Sequence, residues 1–173
     1  MKILKSLSLL VLLFTSLGFK AQQEEAKKEA ELNWYTDIFK ANEVSASTGK
    51  PIFAFFTGSD WCGWCKKLQK EVFAKAEFVK WAKKNVVLLE LDFPRKKQLS
   101  PELMQQNQSL QQTFQVQGYP VIWMFFLKKD DKTQKFNITP LGSCGYPQGA
   151  EPGKEEVKFL QDANSIWQKQ AVK

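Results

Sequence analysis

Three short stretches of this chain are almost wholly apolar and bounded by turn signals: residues 51–57 (PIFAFFT), 86–92 (VVLLELD) and 121–127 (VIWMFFL). Runs of that length without polar alternation suit strands buried on both faces, inside a sheet covered by helices. A fourth run, residues 136–141, follows the polar segment 128–135 and has the pattern of the return strand of a hairpin. Between the strands the spacing changes. Trp34, Ile38, Ala41 and Val44 recur at helical intervals, which predicts an amphipathic helix over residues 33–48, closed by Thr48-Gly49-Lys50-Pro51. Beyond Cys65 the repeat of Leu68, Val72 and Phe73 predicts a second helix, and Phe78, Val79, Trp81 and Ala82 mark the apolar side of a third. Residues 96–115 are polar, anchored by Leu103, Leu110 and Phe114, and should be helical from about Pro101. Residues 155–168 close the chain as a helix carrying Val157, Leu160, Ile166 and Trp167 inward. Alternating helices and strands, then a hairpin and a last helix, predict an α/β fold: a mixed central sheet with helices on both faces.

The N-terminus follows a different pattern. Met1-Lys2-Ile3-Leu4-Lys5 precedes an apolar stretch over residues 7–19, with Gly18 and Ala21 as cleavage positions. A basic start and a short apolar core describe a secretory signal peptide, expected over residues 1–21. The stretch is shorter than the roughly 20 apolar residues a spanning helix needs. Residues 22–32 form a polar lead-in, and residues 33–173 one domain. The protein is therefore expected to be periplasmic or secreted. Loss of Lys2, Lys5 and Lys20 reduces the formal charge of +7 to +4, with 22 basic residues left against 18 acidic ones. No basic stripe with interleaved aromatics is present, so nucleic acid is not the expected partner. The 43% of hydrophobic residues, 14 of them Phe, can fill one core without structural disulfides.

Cysteine and histidine narrow the chemistry further. The chain has three Cys and no His, which excludes Ser–His and Cys–His nucleophile pairs. Cys62 and Cys65 form a C-x-x-C pair that can staple only a very short loop, so its purpose is not fold stability. Trp61-Cys62-Gly63-Trp64-Cys65 lies where a strand hands over to a helix. The free N–H groups and positive dipole end of a helix start favour an anion there, and a thiolate so placed has a pKa below the free value of about 8.5. Two intervening residues bring the second sulfur one turn on, within reach of a mixed disulfide at the first. Cys62 is then the attacking thiol and Cys65 the resolving one. Zinc would need four ligands, and the distant Cys144 is the only further thiol, so no metal and no cofactor is expected. An inert pair is the bland alternative. Cys144 itself reads as an idle thiol. Trp61 is expected to pack over the site and Trp64 to be exposed. Lys66 and Lys67 are candidates for holding a thiolate, and Glu90 and Asp92 mark where their strand reaches solvent.

These features together resemble the thioredoxin superfamily. The apolar strand, the Trp-Cys-Gly-x-Cys-Lys core and Gly118-Tyr119-Pro120-Val121 before a further strand fall in that family's order, over residues 34–167. The resemblance implies a thioredoxin-like fold in which Pro120 is cis and lies against the two cysteines, while Tyr119 offers backbone groups to an extended substrate. Trp61, Tyr119 and Pro120 are thus the expected substrate-binding residues. Residues 55–73 are most similar to exported bacterial thioredoxin-like proteins and to the C-terminal periplasmic domain of the membrane thiol:disulfide interchange reductase. Two departures stand out. Phe56 replaces the buried aspartate of thioredoxin, and Gln69 replaces the glutamate of the interchange domain, which leaves the base for Cys65 unassigned between Glu90 and a water. The implied activity is that of an exported thiol–disulfide oxidoreductase reducing or exchanging protein disulfides. Its partners would be protein thiols and disulfides and an unidentified electron donor or acceptor, such as a membrane thiol reductase. A dedicated oxidase, isomerase or cytochrome-maturation reductant, and a non-catalytic peptide-binding module, remain as alternatives.

Overall fold

The computed structural model describes residues 32–130 and 135–168. The signal peptide and nearly all of the polar lead-in expected from the sequence lie outside the described residues. Strand β1 (Trp34–Tyr35) is followed by helix α1 (Ile38–Thr48), β2 (Ile52–Thr57) and α2 (Gly63–Leu68). A π-helical turn (Gln69–Phe73) joins α2 to α3 (Ala76–Asn85), and β3 (Val87–Asp92), α4 (Pro101–Thr113), β4 (Val121–Lys129), β5 (Phe136–Gly145) and α5 (Glu155–Trp167) complete the domain. The strand order is β1-β3-β2-β4-β5. β1 and β2 run parallel to β3, whereas β4 is antiparallel to both β2 and β5. This is the mixed α/β sheet expected from the element order, in the thioredoxin-like arrangement that the resemblance implies.

Each face of the sheet carries its own apolar layer. Phe53, Phe55, Leu88, Ile122 and Met124 point to one side, under α2, the π turn, α3 and α5, and both Cys62 and Cys65 belong to that layer. Ile52, Ala54, Phe56, Leu89, Leu91 and Phe125 point to the other, under α1 and α4. Alternation along β2 therefore divides one continuous apolar run between two cores, as a strand buried on both faces must.

The first helix starts later than its apolar spacing predicts. Asp37 caps α1, its Oδ1 accepting from the N–H of Phe39 at 2.8 Å and of Lys40 at 3.4 Å. Trp34 and Tyr35, ahead of that cap, instead pair with Leu88 and Leu89. As strand residues they point to opposite layers, and Trp34 reaches the rings of Phe53, Phe55 and Phe73 at 6.2, 5.9 and 5.5 Å. Gly49, at φ 69°, ends the helix with its N–H on the carbonyl of Ser45. In α5, Val157 is 53% exposed, contrary to the inward face expected of it, because Phe159 and Ala163 take the core positions. β5 also runs on past Leu141 to Gly145, so Cys144 sits within a strand opposite Ile122.

The π turn changes what α2 can bury. The N–H of Ala74 reaches back to the carbonyl of Gln69, and the extra residue lets the consecutive Val72 and Phe73 both enter the core. Phe73 stacks on Phe78 at 4.6 Å, joining the two helical segments.

The anchoring role of β1 gives a stability test. Trp34→Ala should cost about 3 kcal/mol, the scale of truncating a ring in an aromatic cluster, whereas Val157→Ala should stay within about 0.5 kcal/mol. Urea unfolding of both variants in the oxidised state checks this, and equal midpoints would contradict the strand assignment of Trp34.

Candidate active site

Four chain segments meet at one end of the sheet. Thr57 pairs with Asp92, Phe56 with Val121, and Val121 with Gly145, so the ends of β2, β3 and β5 lie beside the start of β4. The segment after β2 carries Cys62. The one after β3 carries Phe93 and Arg95, the one before β4 carries Tyr119 and Pro120, and the one after β5 carries Tyr146.

Cys62 is the N-cap of α2, with an extended backbone, and its Sγ accepts from the N–H of Cys65 at 3.1 Å. The two sulfurs are joined in a disulfide. Both cysteines are buried, Cys65 at 1% exposure and Cys62 at 5%. The Tyr119–Pro120 peptide is cis, and the carbonyl of Pro120 leaves no more than 3.3 Å for a Cβ at Gly145.

The turn that delivers Cys62 is tied to the segment after β3 by two carboxylates. Asp92 is buried and accepts from the Ser59 N–H at 2.8 Å and the Ser59 hydroxyl at 2.6 Å. Its position under the turn corrects the expectation that this end of β3 simply meets solvent. Asp60 accepts from three successive backbone N–H groups, of Arg95, Lys96 and Lys97, at 3.0, 2.6 and 3.2 Å. Those N–H groups, Arg95's first, hold the Asp60 carboxyl below the usual carboxylate range.

Aromatic groups flank the disulfide on both sides. Trp61 donates its indole N–H to the Phe93 carbonyl at 2.8 Å and meets Tyr119 edge-on at 5.7 Å. The Arg95 guanidinium lies over the Trp61 ring at 4.0 Å. Gly58 makes this possible, since a Cβ there would run into the indole. Trp64, 52% exposed, meets Tyr146 edge-on at 5.0 Å. The Lys67 ammonium stands 5.1 Å from the centre of each of those two rings. Tyr146 donates to Glu71, which is 3.9 Å from Lys67. The Tyr146 hydroxyl is the main cause raising the Lys67 pKa; burial opposes it, and Glu71 adds a smaller upward effect. Lys66 reaches the Asp60 carbonyl at 3.4 Å. The contacts of both lysines are thus with rings and oxygens of the rim.

A family model described as thioredoxin-like matches residues 33–126. The disulfide bond reductase DsbH of Chlamydia pneumoniae is 34% identical over 129 residues, covering 75% of this chain and 76% of that one. The chain belongs to the thioredoxin-like family. The thioredoxin-related protein DsbJ of the same organism is 28% identical over 94% of this chain, which spans 45% of that longer protein. Among solved structures, a DsbH oxidoreductase superposes with a TM-score of 0.63 at 29% identity, covering 80% of this chain and 85% of that one. A thioredoxin from Thermus thermophilus shares the fold, with a TM-score of 0.53 at 14% identity over 78% of this chain and 86% of that one. With a C-x-x-C disulfide at the family's site, the chain is a thiol–disulfide oxidoreductase.

Within this family frame the departures acquire positions. Phe56 points to the layer away from the cysteines, and it is Phe55 that fills the cysteine side of β2. Gln69 begins the π turn. Glu90 pairs with Phe55 in the parallel register and so faces the cysteine layer. Burial, then the charge of Asp92, pushes its carboxyl above the ordinary 4.5. Cys144 is partly buried against the same layer, its thiol pushed up to about 12 by burial and by Asp162. Arg95, Glu71 and Tyr146 had no signal in the local sequence pattern, because each joins the site through contacts between distant segments.

Glu90 makes stability depend on pH. Its folded pKa lies above the unfolded one, so its contribution is fully present below the unfolded pKa, about 4.3, and is lost as pH rises through the folded value. Glu90→Gln should therefore be more stable than the parent at pH 7, with the difference vanishing near about pH 4. Denaturant midpoints of the oxidised proteins at the two pH values test the sign.

Proposed function

We propose that this oxidoreductase is exported and works in the reducing direction on protein disulfides, with Cys62 attacking and Cys65 resolving. The observation that carries the assignment is the N–H of Cys65 directed at the Cys62 sulfur at the helix cap. When the disulfide opens, that donor favours charge on Cys62, while the apolar layer around Cys65 disfavours it there. The Cys62 thiolate attacks one sulfur of a substrate disulfide, forming a mixed disulfide and releasing the other substrate sulfur as a thiolate. Cys65 loses its proton and attacks the Cys62 sulfur, which releases the second substrate thiolate. The substrate gains two electrons and the protein is left with the Cys62–Cys65 bond. A thiol reductant must then restore the pair. Trp61, Tyr119 and Pro120 border the approach to Cys62, and the backbone at Tyr119 is suited to pairing with an extended substrate. The reductase name of the Chlamydia pneumoniae relative supports the direction, and the basic, apolar N-terminal sequence supports export.

Trapping distinguishes the two thiols. Cys65→Ser should accumulate substrate proteins as mixed disulfides through Cys62, and Cys62→Ser should trap none. Equal trapping by both variants would overturn the assignment.

The direction has its own test. The Gly63-Trp64 dipeptide supplies no His to stabilise a thiolate, so the potential should lie nearer thioredoxin, about −270 mV, than a strong periplasmic oxidant, about −120 mV. Equilibration with glutathione measures it, and a value above about −150 mV would make the protein an oxidant.

A further inference from the structure

The rim around the disulfide is cationic on both sides, and its carboxylates are already engaged. Arg95, Lys96 and Lys97 follow β3 on the Trp61 side, and Lys66 and Lys67 follow the cysteines in α2; all five are exposed. Among the described residues, only Lys67 of these five has a carboxylate within ion-pair distance, and that pair is long, at 3.9 Å. The nearby acids are engaged in hydrogen bonds or buried, though Asp60 keeps its negative charge at the surface. The Asp60 carboxylate is occupied by the three backbone N–H groups of Arg95, Lys96 and Lys97, and that of Asp92 by Ser59. Glu71 is held by Tyr146, Glu90 is largely buried, and Glu155 contributes only a weaker field at Lys67.

The placement of the cations matters as much as their number. Arg95 lies over Trp61 and Lys67 over Trp64 and Tyr146, so each flank of Cys62 presents a ring with a positive group against it. The two flanks derive from opposite sides of β2 and β4, one from the end of β3 and the other from α2 and the end of β5. A segment crossing Cys62 from one side to the other meets a cation–ring pair before the disulfide and another after it. Positive charge beside the reacting sulfur also offsets the negative charge of attack, in which a thiolate approaches one substrate sulfur and another thiolate leaves.

We propose that this rim selects disulfide-bearing protein segments with acidic residues on both flanks of the reactive cysteine. The inference rests on the oxidoreductase reading and names the class of client that this site takes. Basic-flanked disulfides meet the same exposed cations at close range and are disfavoured by like charge. The selection acts on the encounter rate and so weakens as salt screens it.

Two oxidised peptides with the same cystine loop, one flanked by Asp and Glu and the other by Lys and Arg, test the proposal. The rate at which each oxidises the reduced full-length protein is divided by its rate with dithiothreitol, which removes intrinsic differences between the two disulfides. The normalised rate should favour the acidic peptide by about tenfold at low ionic strength and by less than about twofold near 1 M salt. The exposed charge reversals Lys96→Glu and Lys97→Glu, made together, leave the backbone donors to Asp60 in place and should lower the ratio at least about threefold. A ratio near one, or one that favours the basic peptide, overturns the acidic-client proposal and leaves the oxidoreductase reading standing. If neither peptide oxidises the reduced protein, the oxidoreductase reading falls and the client proposal with it.

Discussion

Strand β2 has no face on which it can meet water. Ile52 to Phe56 are each fully buried, and Thr57 beyond them is buried too. A strand in that position needs a hydrogen-bonded neighbour on each edge and an apolar layer on each face, and β3, β4 and the two helical layers supply them. The chain leaving β2 can then go only to the end of the sheet. There it must begin a helix that returns over the Phe53–Phe55 face. Cys62 occupies the cap of that helix, so the reactive position follows from the burial of the strand before it.

What holds the end of the sheet in shape is polar. Asp60 and Asp92 bind the turn after β2 to the segment after β3 through backbone N–H groups and a hydroxyl, and Asn107 donates to the Asp92 carbonyl from α4 at 2.9 Å. Such charge-assisted bonds fix loop geometry that apolar packing alone leaves adjustable. With that segment fixed, the Phe93 carbonyl receives the Trp61 indole and Arg95 reaches its ring. The orientation of the rim is thus set by the carboxylates of Asp60 and Asp92.

This division explains what the sequence could and could not disclose. The three central strands were legible because burial on both faces leaves an uninterrupted apolar run, and the C-x-x-C pair because its function depends on local spacing. Trp34 and Tyr35 carry a helical pattern because a two-residue edge strand is too short to show its own period, while Trp34 falls by chance on the helical spacing of Ile38 and Ala41. Val157 was misplaced because Phe159, two positions on, sets the inward face of α5. The π turn has no periodic signature, since it is a single local shift of phase. The contacts that shape the rim join residues far apart in the chain: 37 positions separate Asp60 from Lys97, and 75 separate Glu71 from Tyr146. No local pattern marks such a pair.

The redox pair is largely decoupled from the stability of the fold. The Cys62–Cys65 bond closes so short a loop that its chain-entropy contribution is about 2 kcal/mol, less than one well-buried aromatic ring, at about 3–5 kcal/mol. Beneath it Trp34, Phe53, Phe55, Phe73, Phe78 and Phe159 form a continuous set of ring contacts that needs neither sulfur. In the disulfide form Cys65 lies in apolar surroundings while Cys62 accepts the N–H at its cap. The inequality between the sulfurs is set by the fold around them rather than by the bond that joins them. On the proposed assignment, apolar burial disfavours charge on Cys65 while the cap donor favours it on Cys62, so the first attack falls to Cys62.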